Sequence, residues 1–242
     1  MRFYLPVTNR LPLIVALLSV SISGCATTTA GTATPAGPVP LTTEQTLPGV
    51  LLSAADVGSA LGSDDVVVTR EVSTPWDHSA YLQAQSPTGA TPGCLAITGA
   101  AQRGAYADSG WTAVLGQVLR EPPTARAWSH FATQSVVLFA TAQAASEFFG
   151  RSSRDWAECA DREMTYAQPL TPDQVWAVGE VSSEGDMLTV SRTQRSPQQW
   201  SCQRALTVRG NVAVDIEACS LDGPTDAAAA IAGAIGERLP AA

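Results

Sequence analysis

The segment running from Cys202 to Cys219, CQRALTVRGNVAVDIEAC, limits the fold of this chain more than any other stretch. Two strand-like runs flank Gly210-Asn211, a dipeptide that supplies the positive φ angles of a tight hairpin turn. With a two-residue loop Arg209 faces Val212, and stepping outward symmetrically sets Cys202 opposite Cys219. That pair lies an odd number of steps from the hydrogen-bonded closing pair. It is therefore a non-hydrogen-bonded pair, whose close α-carbons suit a cross-strand disulfide. An antiparallel hairpin stapled at its open end must sit inside whatever sheet the chain forms.

Disulfides persist in oxidising compartments, and the amino terminus points to export. Arg2 and Arg10 precede an apolar run over residues 11–22, too short to span a bilayer but the right length for the core of a signal peptide. The run ends in Ile22-Ser23-Gly24-Cys25, which resembles the bacterial lipobox, where the Cys is acylated and becomes the new N-terminus. The competing reading is an ordinary signal peptide with a chance Cys. On the lipobox reading, residues 1–24 are the signal peptide and 25–46 are the acylated Cys25 with a Thr/Ala/Pro/Gly tether. Residues 47–242 then form one domain on the extracytoplasmic face of the cell membrane. Acyl chains on Cys25 are the expected membrane contact. Loss of Arg2 and Arg10 takes the formal charge from −8 to −10, and so acidic a domain is repelled by anionic lipid.

Four cysteines remain after Cys25. With Cys202 and Cys219 paired, Cys94 is left to bond Cys159. Zinc ligation would need spacings such as C-x-x-C, and none occurs. The strand candidates are Val66 to Val72, Ala113 to Leu119, Gln134 to Phe139, Val175 to Val181, Met187 to Arg192, Trp200 to Val208 and Val212 to Ala218. Helices are expected between the N-cap Ser53 and the stop Gly62, over Thr141 to Cys159, and over Thr225 to Leu239. Many strands and few helices, with no regular βα alternation and no G-x-G-x-x-G, imply an α+β domain. Its expected form is an antiparallel sheet with two disulfides.

Composition excludes several chemistries. All 14 basic residues are Arg, against 22 acidic ones, so nucleic acid is not an expected partner. The lack of Lys removes Schiff-base chemistry, and having only His78 and His130 removes two-His zinc motifs. No cofactor or metal is implied.

Several strings then fall into a familiar order. They are Cys94-Leu95, Ala105-Tyr106 with Ser109-Gly110-Trp111, Gln134 to Phe139, Phe148-Phe149 and Trp156-Ala157-Glu158-Cys159, followed by Trp176-Ala177-Val178-Gly179, Trp200 to Ala205, Asn211-Val212 and Ala218-Cys219. Over roughly Leu51 to Leu239 this order resembles the PknH-like extracellular domain, the ligand-sensing ectodomain of certain actinobacterial Ser/Thr kinases, also found in stand-alone lipoproteins. The resemblance implies an α+β domain with a central antiparallel sheet, helices packed on one side, two disulfides, a cleft for an extracellular ligand and no catalytic residues. With neither a kinase domain nor a spanning helix in this chain, sensing is expected to be delegated to a partner, or replaced by carrying or sequestering a small molecule, lipid or glycan.

For the ligand site, Trp76, Asp77, His78 and Tyr106 combine apolar faces with polar handles on expected loops or strand ends. Trp111, Trp156, Trp176 and Trp200 are expected to pack the core and the disulfides. His130 reads as an ordinary, partly buried histidine, and Arg151, Arg154 and Arg162 as the solvated side of the long helix. Two alternatives stand beside the ligand binder. One is an interaction lipoprotein that docks another envelope protein; the other is a hydrolase centred on His78, which would need a Ser hydroxyl beside the imidazole.

Overall fold

The computed structural model describes residues 41–77, 82–84, 92–122, 128–167, 170, 172–197 and 199–240. All lie in the second of the chain's two units, Gly37–Ala242. Cys25 and His78 fall outside the described residues, as do the expected signal peptide over 1–24 and the rest of residues 25–40.

Nine strands among the described residues are β1 (Val67–Val72), β2 (Leu82–Ala84), β3 (Trp111–Arg120), β4 (His130–Phe139), β5 (Glu163–Tyr166), β6 (Gln174–Glu184), β7 (Met187–Gln194), β8 (Ser201–Arg209) and β9 (Val212–Ser220). They form one sheet in the order β1-β3-β4-β9-β8-β7-β6-β5-β2, with every pairing antiparallel. The helices are α1 (Ala54–Leu61), α2 (Pro92–Ile97), α3 (Arg103–Tyr106), α4 (Ala142–Ala157) and α5 (Ala227–Arg238), preceded by a 3-10 turn at Glu44–Gly49. The fold is α+β with two disulfides. Packing reaches back beyond Leu47, because Thr42 is already buried and bonded to Asn211.

The β8–β9 hairpin has the expected register. Arg209 faces Val212 and Cys202 faces Cys219, whose α-carbons are 4.0 Å apart in the disulfide. Only Gly210 takes a positive φ, 55°. Asn211 contributes through its side chain instead: the amide accepts from Thr42 N at 2.9 Å and donates to the carbonyls of Thr42 and Phe139 at 3.0 Å. The second disulfide joins Cys94 on α2 to Cys159 just past α4.

Local chemistry explains the helix ends. The Ser53 hydroxyl caps α1 by accepting from Asp56 N, the Ser53 amide donates in return to the Asp56 carboxylate, and Gly62 ends the helix at φ 74°. Thr141 caps α4 by accepting from Ala144 N. Along α4, Ala145, Phe148, Ser152 and Trp156 recur at helical spacing and are the buried face.

Alternation along β9 separates two cores. Val212, Val214, Ile216 and Ala218 face α1 and α5, together with Leu119, Val136 and Ile231. Ala213 faces the other way, into a core with Phe139, Phe148, Trp156, Leu188 and Leu206. The helices α1 and α5 thus form the layer expected on one side, and α4 with α2 and α3 adds a second layer over the opposite face. That second layer covers only part of its face. Beyond Ala213, Asp215, Glu217 and Cys219 follow in turn on the same side of β9.

Candidate functional site

Two buried ion pairs lie on this face beyond the α4 core. Asp215 accepts from Arg204 at 2.6 Å, from the Tyr106 hydroxyl at 3.0 Å and from Ala101 N at 2.7 Å. Arg204 donates further to the carbonyls of Ala96 and Ile216 and lies 5.4 Å from the Trp156 ring. One step outward, Arg192 pairs with Glu217 and donates to the Tyr166 hydroxyl at 3.0 Å. Tyr166 in turn donates to the Thr98 carbonyl at 3.1 Å, joining β5 to the segment after α2. Burial, then the Asp215 charge, push the Tyr106 hydroxyl well above its ordinary pKa. Burial alone would depress the Arg192 guanidinium, but Tyr166 and Glu217 outweigh it and hold the group more firmly charged.

Beyond the second pair the face opens into a cleft of about 410 Å³. One wall is β1 and β3, through Thr69, Arg70, Val118 and Arg120. Another is the segment Thr98–Gln102 with Trp76, and a third is Tyr166, Gln174 and Trp176. Phe131, Thr133 and Glu217 come from β4 and β9. An adjoining groove of about 860 Å³ shares Trp128, Phe131, Gln174, Trp176 and Arg192 with it and extends to Trp200 and Cys202. Trp128, Phe131 and Trp200 meet there with ring centroids 4.9 to 5.8 Å apart. Phe131 and Trp200 pack with Trp176 on the Cys202–Cys219 disulfide. The volume and the mix of aromatic walls with few charged groups are those of a small-molecule site.

Of the residues expected at a ligand site, Trp76 lines the cleft. Its amide donates to the Ala101 carbonyl and its carbonyl accepts from Arg103 N, which fixes it against the segment after α2. Asp77 is exposed and is not among the lining residues, and His78 lies outside the described residues. The expectation for Tyr106 gives way to a packing role: it is 1% exposed, stacked on Phe148 at 4.3 Å, and its hydroxyl is committed to Asp215. Its apparent loop position concealed that α3 drops the ring into the core below α4. Trp156, Trp176 and Trp200 pack as expected, and Trp176 also faces the cleft.

His130 is buried, with Nδ1 2.8 Å from Glu121 and Nε2 3.1 Å from Asp222. Burial pushes the Glu121 carboxyl up, but hydrogen bonds from His130 outweigh this and leave it below its ordinary value. Arg151 lies over Phe148, while Arg154 and Arg162 are exposed. Among the described residues, the one grouping with metal-ligand types is Cys202, Glu217 and Cys219, and both its sulfurs are spent in the disulfide. Sequence reasoning missed Arg70, Arg120, Trp128, Phe131, Arg192 and Glu217. Strand alternation could have put Phe131 and Thr133, or Asp215 and Glu217, on one face, but nothing local shows where α4 stops covering it.

The chain is similar to the Serine/threonine-protein kinase PknH of Mycobacterium bovis and of Mycobacterium tuberculosis, 29% identical to each over 176 residues. The matched region is 73% of this chain, but it spans only about a quarter of those kinases, 28% and 26%. The similarity in structure is to the crystallised extracellular domain of PknH from Mycobacterium tuberculosis, with a TM-score of 0.73 and 28% identity over 83% of this chain and 98% of that one. The part of PknH that this chain matches in structure is its extracellular domain. With its residues 42–238 matched by the model of that domain, the chain belongs to the family described as the PknH-like extracellular domain.

Proposed function

We propose that this is a lipoprotein, acylated on Cys25, that holds an extracellular small molecule, lipid or glycan in the aromatic cleft. The observation that carries the reading is the uncovered end of the sheet face, where Trp76, Trp128, Phe131, Tyr166 and Trp176 surround a charge-bearing cavity. Elsewhere on that face a helix fills the same space. A signal peptide over 1–24 and an acylated tether from residue 25, leading into a domain that packs from Thr42 onward, would carry this cleft outside the cytoplasmic membrane. The hydrophobic run before Ser23-Gly24-Cys25 supports that order. Binding there is recognition without chemistry, and the ligand is carried, presented or sequestered, or its occupancy is read by a partner protein.

The test is native mass spectrometry of the full chain, purified in mild detergent from the same type of host, followed by organic extraction. A stoichiometric added mass is expected. It should be lost in Trp76→Ala, which removes a wall without touching either buried ion pair. A clean unliganded mass would overturn the reading and favour docking to another envelope protein.

A further inference from the structure

The geometry points to a sugar bearing one anionic substituent (carboxylate, phosphate or sulfate) as what the cleft takes, an inference that rests on the cleft being a ligand site. Three guanidinium groups line the cleft, each over an indole of its wall: Arg70 on Trp76 at 5.0 Å, Arg120 on Trp128 at 5.2 Å and Arg192 on Trp176 at 4.7 Å. Their charges are not equivalent. Arg192 is buried and neutralised by Glu217. Arg70 is exposed and Arg120 half-buried, and no described carboxylate lies within 4.0 Å ion-pairing distance of either.

Strand register brings these two charges together. Arg70 faces Val118 across β1 and β3, and Arg120 stands two residues further along β3 on the same side. Diagonal neighbours of this kind are within reach of long side chains, and like charges there repel. An anion held between them turns that repulsion into a clamp. A guanidinium held over an indole face still presents its coplanar edge N–H donors for the two-pronged bond to a carboxylate or phosphate. In a chain with a formal charge of −8, the pairing is a local inversion of sign at the mouth of a cavity.

The remaining wall defines the body of the ligand. Indole and phenyl faces alternate with Thr133, Gln174 and the Arg192–Glu217 pair. An acyl chain would cover those polar groups without pairing them, at a cost. A pyranose ring answers both parts, with its C–H face on an indole and its hydroxyls at the edge. The adjoining groove, continuous through Trp128 and Trp176, gives further sugar residues a path.

The test is calorimetric titration of the full chain, in a detergent without a sugar headgroup, with glucuronate, glucose 6-phosphate, glucose, inorganic phosphate and 1-octanol. Both anionic sugars should bind at least tenfold more tightly than glucose or phosphate. The double variant Arg70→Gln, Arg120→Gln should lower glucuronate affinity at least tenfold, to the level of glucose, with an unchanged circular dichroism spectrum. Equal affinity for glucose and glucuronate, or no loss in the double variant, overturns the inference. Binding of octanol with no response to any sugar overturns it too but leaves the cleft a ligand site, whereas silence from every probe with no co-purifying molecule removes both readings. The source is resolved by repeating the titration with glucuronosyl diacylglycerol in the same micelles. Tenfold tighter binding than free glucuronate assigns the sugar to a lipid headgroup, and equal binding assigns it to a soluble glycan; either outcome supports the anionic-sugar chemistry.

Discussion

Arg204 and Asp215 are almost fully buried, at 1% and 4% side-chain exposure, and bond to each other, to surrounding backbone groups and, for Asp215, to the Tyr106 hydroxyl. Removing one partner of such a pair costs more than making the pair contributes, because the survivor keeps its desolvation penalty. Asp215→Ala should therefore destabilise the domain by about 3–5 kcal/mol, read as a lowered urea midpoint. Tyr106→Phe removes a single bond to a charged acceptor that keeps two others, so about 1.5 kcal/mol is expected. The same variant should retain the co-purifying ligand in full. Loss of the ligand would put Tyr106 back in the site. The sequence made Tyr106 look functional because a Tyr after a turn signal advertises a polar handle. It could not show that the handle's partner lies on β9, more than a hundred residues away.

At the level of elements, the hairpin and the capped helices were readable because their information is local. Ser53, Gly62 and Thr141 act on backbone groups within a turn, and the register of β8 on β9 follows from two residues of loop. The short strands β2 and β5 and helix α2 were not readable. Each spans six residues or fewer and is held by what it meets in space, as α2 is by the disulfide from Cys94 to Cys159. Asn211 shows both kinds of information in one residue. As part of a Gly-Asn pair it signals a turn, yet with Gly210 alone at positive φ its own work is to tie Thr42 and Phe139 to the hairpin. Asn211→Ala should leave the turn and the Cys202–Cys219 bridge intact. It should cost on the order of 2–3 kcal/mol, from the buried groups left unpaired. Hydrogen exchange should speed at residues 42–50 before it does in β8 or β9. Equal acceleration everywhere would mean that the turn itself depends on Asn211.

For the molecule as a whole, the cleft is a product of assembly. Its side chains come from β1, β3, β4, β5, β6, β7, β9 and the segment after α2, so no window of sequence contains it. The amino terminus is the reverse case, since its lipoprotein reading rests entirely on a dozen apolar residues and one cysteine. Cys25→Ala should abolish incorporation of radiolabelled palmitate and move the protein out of the membrane fraction. Persistent labelling would place the acyl group elsewhere. One wall of the cleft also sets a clock. β1 is the edge of the sheet, paired only to β3, and its register shifts between Val68 and Arg70. Edge strands open locally at a fraction of the global unfolding free energy. A ligand gripped through Arg70 can dwell no longer than β1 stays zipped to β3, so the opening rate of this one strand is the ceiling on residence time.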